Sequence, residues 1–168
     1  MPTTYEIAPP EVPELARRLI AKHHRDLDKA GVLITYLFAH NADGPPLKLN
    51  GYAAAALVRK TTLKDRVAGL ADAIIYINGD RETGWPMWDA KKRAAVLDHG
   101  LHHLVVRRDK QGVIETDDAD RPKLSLRLHD IQIGGFKEII ERHGEAAVEA
   151  VQLASAKQYI QGMFPEWG

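Results

Sequence analysis

The residues best suited to chemistry in this chain are two histidines at i and i+4, His99 and His103, within the stretch Asp89 to Leu104. The stretch reads as a helix, and on a helix such residues stand one above the other. Two imidazoles so placed can present nitrogen to one metal ion. Lys92 and Val96 precede them on roughly the same side, while Leu97, Leu101 and Leu104 form a separate stripe suited to packing on a sheet. The helix thus has an anchoring face and a histidine face. His102 points away from the pair, as a surface residue or as a partner of a ligand. The competing reading is that histidines at this spacing arise from ordinary surface composition.

In the zinc-binding pattern His-Glu-x-x-His, a glutamate follows the first histidine and serves as general base. Gly100 occupies that position here. The glutamate takes a proton from water and passes it to the leaving group, help worth roughly 10²–10⁴-fold. Glycine can do neither. Metal binding need not suffer, because that glutamate is not a ligand. A glycine inside a helix costs about 1 kcal/mol relative to alanine, so Gly100 reads as a substitution within a pre-existing pattern. Asp98 is adjacent in sequence but lies about 100° around the helix, which makes it a poor replacement. Three explanations fit: a natural pseudoenzyme, an introduced inactivating substitution, or a carboxylate acting from another segment.

Composition narrows the metal chemistry. The chain has 168 residues, no cysteine and eight histidines, so a transition-metal site must be built from His, Asp or Glu. Lys+Arg and Asp+Glu are both 23, giving zero net charge, which does not favour a dedicated nucleic-acid binder. The N-terminus lacks a basic and apolar leader pattern, and no apolar run reaches membrane-spanning length. The expected location is cytoplasmic.

The elements that must position the histidines follow from patterning. Residues 1–11, with Pro2, Pro9 and Pro10, read as an N-terminal arm, and residues 12–168 as a single α+β domain. From about Val12 a helical stripe of roughly four turns leads to a stop at Ala30-Gly31. His23-His24 near its end read as dipole caps more readily than as ligands. Val32 to Phe38 reads as a strand buried on both faces; the alanines of Tyr52 to Val58 favour helix, but the place of that stretch between strand-like runs argues for a second strand. Asp72 to Asp80 is the clearest strand, closed by an Asn-Gly-Asp turn. Gly84 to Trp88, with Pro86 preset for a helix start, leads into the histidine helix, expected to reach about Val106. A turn at Arg107 to Gly112, a short strand at Val113 to Glu115 and a polar loop at Thr116 to Pro122 come next. Lys123 to Leu128 alternates strictly, as a half-buried strand does. His129-Asp130 closes it, a helix runs to about Arg142, His143-Gly144 breaks the chain, and Glu145 to Met163 is a last amphipathic helix. The expected fold class is α+β, a small mixed or antiparallel sheet packed by helices.

From Ala95 to Leu104, and again at His129-Asp130, the chain resembles the phage-type metallopeptidases, small relatives of the minimal zincins. Their pattern is a leading helix, a short sheet, and an aromatic lead-in to a helix reading Leu-Asp-His-Glu-Leu-x-His. A strand ending in His-Asp and a further helix come after. Trp85 and Trp88, Leu97-Asp98-His99-Gly100-Leu101-His102-His103 and Leu128-His129-Asp130 match in order, as does a leading helix carrying His24. The resemblance covers most of residues 12 to 143. Its specific parts are the two histidine-bearing stretches, and its departure is Gly100.

The resemblance implies a zincin-like fold and a Zn2+ ion on His99, His103 and a third ligand beyond the following hairpin. His129 is the choice, since imidazole suits zinc and a strand end is a rigid platform. Asp130 is next, as a ligand or as the acceptor that orients an imidazole; equally, it suits the N-cap of the next helix. Glu138 and Glu141 read as solvated, with Glu138 a distant candidate ligand. The implied activity is peptide-bond hydrolysis on a protein or peptide substrate, impaired or absent because of Gly100. The alternative is a non-catalytic module binding protein or nucleic acid. For that role Lys91, Lys92, Arg93, Arg107, Arg108, Lys110, Arg121, Lys123 and Arg127 would supply a basic face, against the plainer reading of a solvated charged surface. The plainest reading of all is an α+β domain with incidental histidines.

Overall fold

A computed structural model of the chain describes residues 2–130 and 135–163. Its contacts divide the chain into two compact units, Met1–Arg127 and Leu128–Gly168.

The first unit opens with strand β1 (Thr4–Ile7), so the proline-bearing arm joins the sheet by pairing antiparallel with β2 (Ile34–His40). Between them lie α1 (Glu11–His23) and α2 (Arg25–Ala30). Pro13 sits in the first turn of α1, where a missing N–H leaves no helical bond unmade. Val12 and Ala16 are its fully buried residues, flanked by half-buried Leu15, Leu19 and Ile20, so the stripe read from sequence is the packing face. The helix breaks at His24 rather than running through, and Gly31, at φ 65°, ends the short α2 in the left-handed conformation that glycine adopts without steric cost.

After β2 a two-stranded hairpin, β3 (Lys48–Leu49) and β4 (Tyr52–Ala53), precedes β5 (Ala56–Lys60). Helix α3 (Leu63–Val67) begins at a capping box in which Thr62 and Asp65 each bond the other's backbone N–H. Strand β6 (Ala73–Asn78) then enters parallel to β2 and antiparallel to β5, completing a mixed sheet in the order β1-β2-β6-β5. Tyr36, Phe38, Ile75 and Ile77 are buried in the core, while Leu37 and Tyr76 are only half-buried. β2 is therefore deeply buried on one face, not on both as its apolarity suggested.

A 3₁₀ turn at Trp85–Met87 carries Pro86 and leads to α4 (Ala90–His102), which Asp89 caps by accepting from Lys92 N at 2.8 Å. Trp85 is buried, donates to Glu11 at 2.9 Å and lies beneath the Arg93 guanidinium, so the aromatic lead-in pins the start of α4 to α1. Leu97 and Leu101 are 0% exposed against the sheet. Burial of that kind stabilises by roughly 1.5–3 kcal/mol per side chain.

Helix α4 stops earlier than its pattern suggested. Leu104 to Val106 form strand β7 (Leu104–Val106), paired antiparallel with β8 (Leu124–Leu126). Leu-Val-Val suits a strand, and a partner with vacant ladder positions outweighs one more helical turn. The excursion between these strands is anchored twice. Arg121 chelates buried Asp72 at 2.7 and 3.1 Å, and Arg66 bonds Asp117 at 2.6 Å.

The second unit, considered by itself, contains α5 (Lys137–His143), a 3₁₀ turn at Gly144–Ala146 and α6 (Val148–Met163). Gly144, at φ 55°, makes the expected break. The N-cap of α5 is Phe136, so Asp130 does not cap that helix; residues 131–134 of the expected helix lie outside the described residues. Among the described residues, no helix is long and apolar enough to cross a membrane.

Candidate metal centre

His99 lies in the last turn of α4, and His103 is its C-cap residue. The C-cap keeps helical dihedrals (φ −66°, ψ −25°), so the one-above-the-other placement survives past the formal end of the helix. Their Nε2 atoms are 3.2 Å apart. Two nitrogens bound at about 2.0–2.1 Å to one tetrahedral ion are separated by about 3.3 Å. The observed spacing is therefore close to what a shared ion requires.

The orientation of His103 has a physical cause. Its Nδ1 lies 2.7 Å from the carbonyl oxygen of Arg127. A carbonyl only accepts, so Nδ1 carries the proton and Nε2, on the side of His99, has the lone pair. The same two residues are joined again by Arg127 N donating to His103 O at 2.7 Å. A backbone carbonyl orienting an imidazole in this way is a recurrent feature of metal-binding histidines. The β7–β8 pairing delivers that carbonyl, since Arg127 directly follows β8.

His129 follows Arg127 by two residues, within about 7 Å of fully extended chain. Candidate ligand atoms of His99, His103 and His129 all lie within 4.8 Å of one another. His103 is half-buried and the other two are exposed, leaving one side open to solvent. Three imidazoles with one open side are a donor set suited to a transition metal. Asp130 sits exposed in a bend, and the acceptor at the His103 ring is the Arg127 carbonyl. No side-chain pattern advertises a main-chain oxygen, so sequence reading had no means of finding it.

Asp98, Glu138 and Glu141 each have partners of their own. Asp98 Oδ1 meets His24 Nε2 at 2.5 Å, on the flank of α4 that faces α1. The His24 side chain is only 9% exposed, so this pair ties the α1–α2 corner to the metal helix. Glu138 pairs with Arg142 and Glu141 with Lys137 along α5, as solvated helix-surface pairs do. Among the described residues, the histidine cluster contains no carboxylate.

Gly100 is buried in the last turn, not in mid-helix, which weakens any argument from its helical cost. A Cβ placed there would meet Ile75 Cγ2 at 3.4 Å, Ile75 Cδ1 at 3.5 Å and Val58 Cγ2 at 3.6 Å. Those are ordinary contacts, and the backbone is not left-handed. By contrast, a Cβ at Gly84 would fall 2.4 Å from the Asn78 carbonyl oxygen. Packing demands a glycine at position 84 and does not demand one at position 100.

A family model described as Putative phage metallopeptidase matches residues 3–157. No curated protein and no solved structure matches the chain.

Proposed function

The chain belongs to this phage metallopeptidase family, and from that premise we propose that it is a zinc-binding, zincin-like protein whose peptide hydrolysis is strongly impaired or absent. His99, His103 and His129 are the ligands, and the carrying observation is the His103 Nδ1 bond to Arg127 O beside an Nε2–Nε2 separation of 3.2 Å. Zinc in such a site supplies Lewis-acid polarisation of a carbonyl and a lowered pKa for water. The Arg127 carbonyl holds the His103 tautomer, and Asp98, paired with His24, is withdrawn from proton transfer. Gly100 has no group to accept a proton, so the step that glutamate would assist goes unassisted. The substrate class implied by the family is protein or peptide.

The alternative reading is a non-catalytic module on the same fold, and what favours it is that the cluster holds no carboxylate among the described residues. Within that reading, a nucleic-acid partner has less support than a protein. Arg107, Arg108 and Arg121, three of the expected basic positions, are each paired with a carboxylate.

Metal content tests the proposal. Elemental analysis of the purified chain should return about one zinc per chain, as a three-imidazole site predicts. His99→Ala and His103→Ala should each lose it while remaining folded by circular dichroism. A folded wild-type chain that takes up no zinc at neutral pH removes the proposal.

A further inference from the structure

On the flank of α4 next to the metal ligands, within the first unit, lies a second concave site of about 380 Å³. Its floor is apolar, from buried Leu27, Leu104 and Val106. Its rim carries three permanent cations, Lys22, Arg25 and Arg127, together with the imidazoles of His23, His24 and His102. The one carboxylate in the lining, Asp26, is held by Arg108 at 3.2 Å, and His24 is held by Asp98. Arg127 points its Nη1 at His102, 2.9 and 2.6 Å from the two ring nitrogens, so that guanidinium faces an imidazole where a carboxylate would ordinarily be found.

Helix ends offer a plainer explanation for some of this charge. The C-termini of α1 and α4 both reach the pocket, and each carries about half a negative charge. Together they balance about one of the three cations. Even with the Asp98 carboxylate on His24, net positive charge is left, among the described residues, over a concave surface with an apolar floor.

We propose that this pocket binds an oxyanion of the phosphate or carboxylate class. Two guanidinium groups and an ammonium converging on one small cavity suit such a group, because planar donor forks match its oxygens. The site does not depend on metal. It nevertheless touches the metal centre through Arg127, whose side chain lines the pocket while its carbonyl orients His103. An anion held there therefore lies next to the ligand shell, and its binding is expected to alter metal affinity modestly.

The test uses the full chain with metal removed by chelation, followed by two-dimensional amide NMR. Inorganic phosphate and acetate are titrated separately, at low and at physiological salt. Saturable shifts confined to residues 22–27 and 102–106 are expected from at least one anion, persisting at physiological salt, where exposed charges are screened beyond about 8 Å. Phosphate alone, acetate alone or both identify the source of the oxyanion, and each supports the site. Lys22→Glu and Arg25→Glu, at exposed positions, should weaken binding roughly tenfold or more, equivalent to about 1.4 kcal/mol. His99→Ala should leave it unchanged. The proposal is overturned by three outcomes: no saturable shift with either anion, equal binding in the charge-reversal variants, or loss of binding in His99→Ala. That last result would put the anion on the metal ligands instead.

Discussion

Helix α4 carries imidazoles on two flanks, and the flanks behave differently. On one, His99 and His103 face each other with Nε2 atoms 3.2 Å apart, and a carbonyl fixes the second ring. On the other, His102 faces a guanidinium, and Asp98 is locked to His24 at 2.5 Å. The residue types are nearly the same. What differs is the partner that each flank meets. The Arg127 carbonyl engages His103 at Nδ1 and leaves its Nε2 lone pair toward His99, whereas the Asp98 carboxylate engages His24 at Nε2, on the side facing α1. The direction in which a histidine offers its lone pair is thus set by its surroundings, not by its presence.

The largest effect expected from sharpening this contrast is at Gly100. Gly100→Glu adds the missing proton acceptor to the metal flank, and its Cβ meets only ordinary contacts. Peptidase turnover on an unfolded protein should rise roughly 10²–10⁴-fold, measured as kcat/KM with zinc present. An unchanged rate in a zinc-loaded variant would show that more than this one group is lacking.

Leu97→Ala attacks the buried strip that both flanks share. Leu97 is 0% exposed, and a cavity at such a site costs about 2–5 kcal/mol. Urea unfolding should show that loss, with zinc affinity and the pocket beyond His102 failing together. Preservation of one flank would mean that the two are anchored separately.

Asp98→Asn touches one flank alone. It removes the charged acceptor from a nearly buried imidazole, so stability should fall by about 1–3 kcal/mol. Zinc stoichiometry should stay at the wild-type level. Loss of zinc in a folded Asp98→Asn protein would contradict the assignment of Asp98 to the α1-facing side.

The smallest effect serves as a control on neither flank. Burial pushes the Asp117 carboxyl up, but bonds from the Arg121 N–H, the Arg66 side chain and the Ala119 N–H pull it below the ordinary value of 3.8. A depressed folded-state pKa stabilises the fold above the unfolded value, and that contribution is lost as pH falls through the folded one. Asp117→Asn should therefore reduce the stability lost between neutral pH and acid, measured by thermal melts. An unaltered acid profile would place the sensitive carboxylate elsewhere.

Much of the fold was legible from patterning. The stripe on α1, the glycine stop at Gly31, the strand at Ala73–Asn78 and the break at Gly144 all follow from local stereochemistry. Helix α3 was missed, although Thr62 and Asp65 spell a capping box, because its five residues bury no side chain and show no apolar stripe. The end of α4 was placed too late because Leu104 to Val106 are compatible with either state, and only the presence of β8 decides between them.

The chemistry divides in the same way. Helical geometry by itself determined that His99 and His103 share a flank, and that Gly100 supplies no base beside them. Those are consequences of a 3.6-residue repeat and of side-chain identity. That His103 presents Nε2 toward His99 was decided by tertiary structure alone. It depends on a strand pairing that brings Arg127 to His103 across 24 residues of chain. A contact of that range is set by the closure of a loop and its hydrogen bonds, which no local periodicity records.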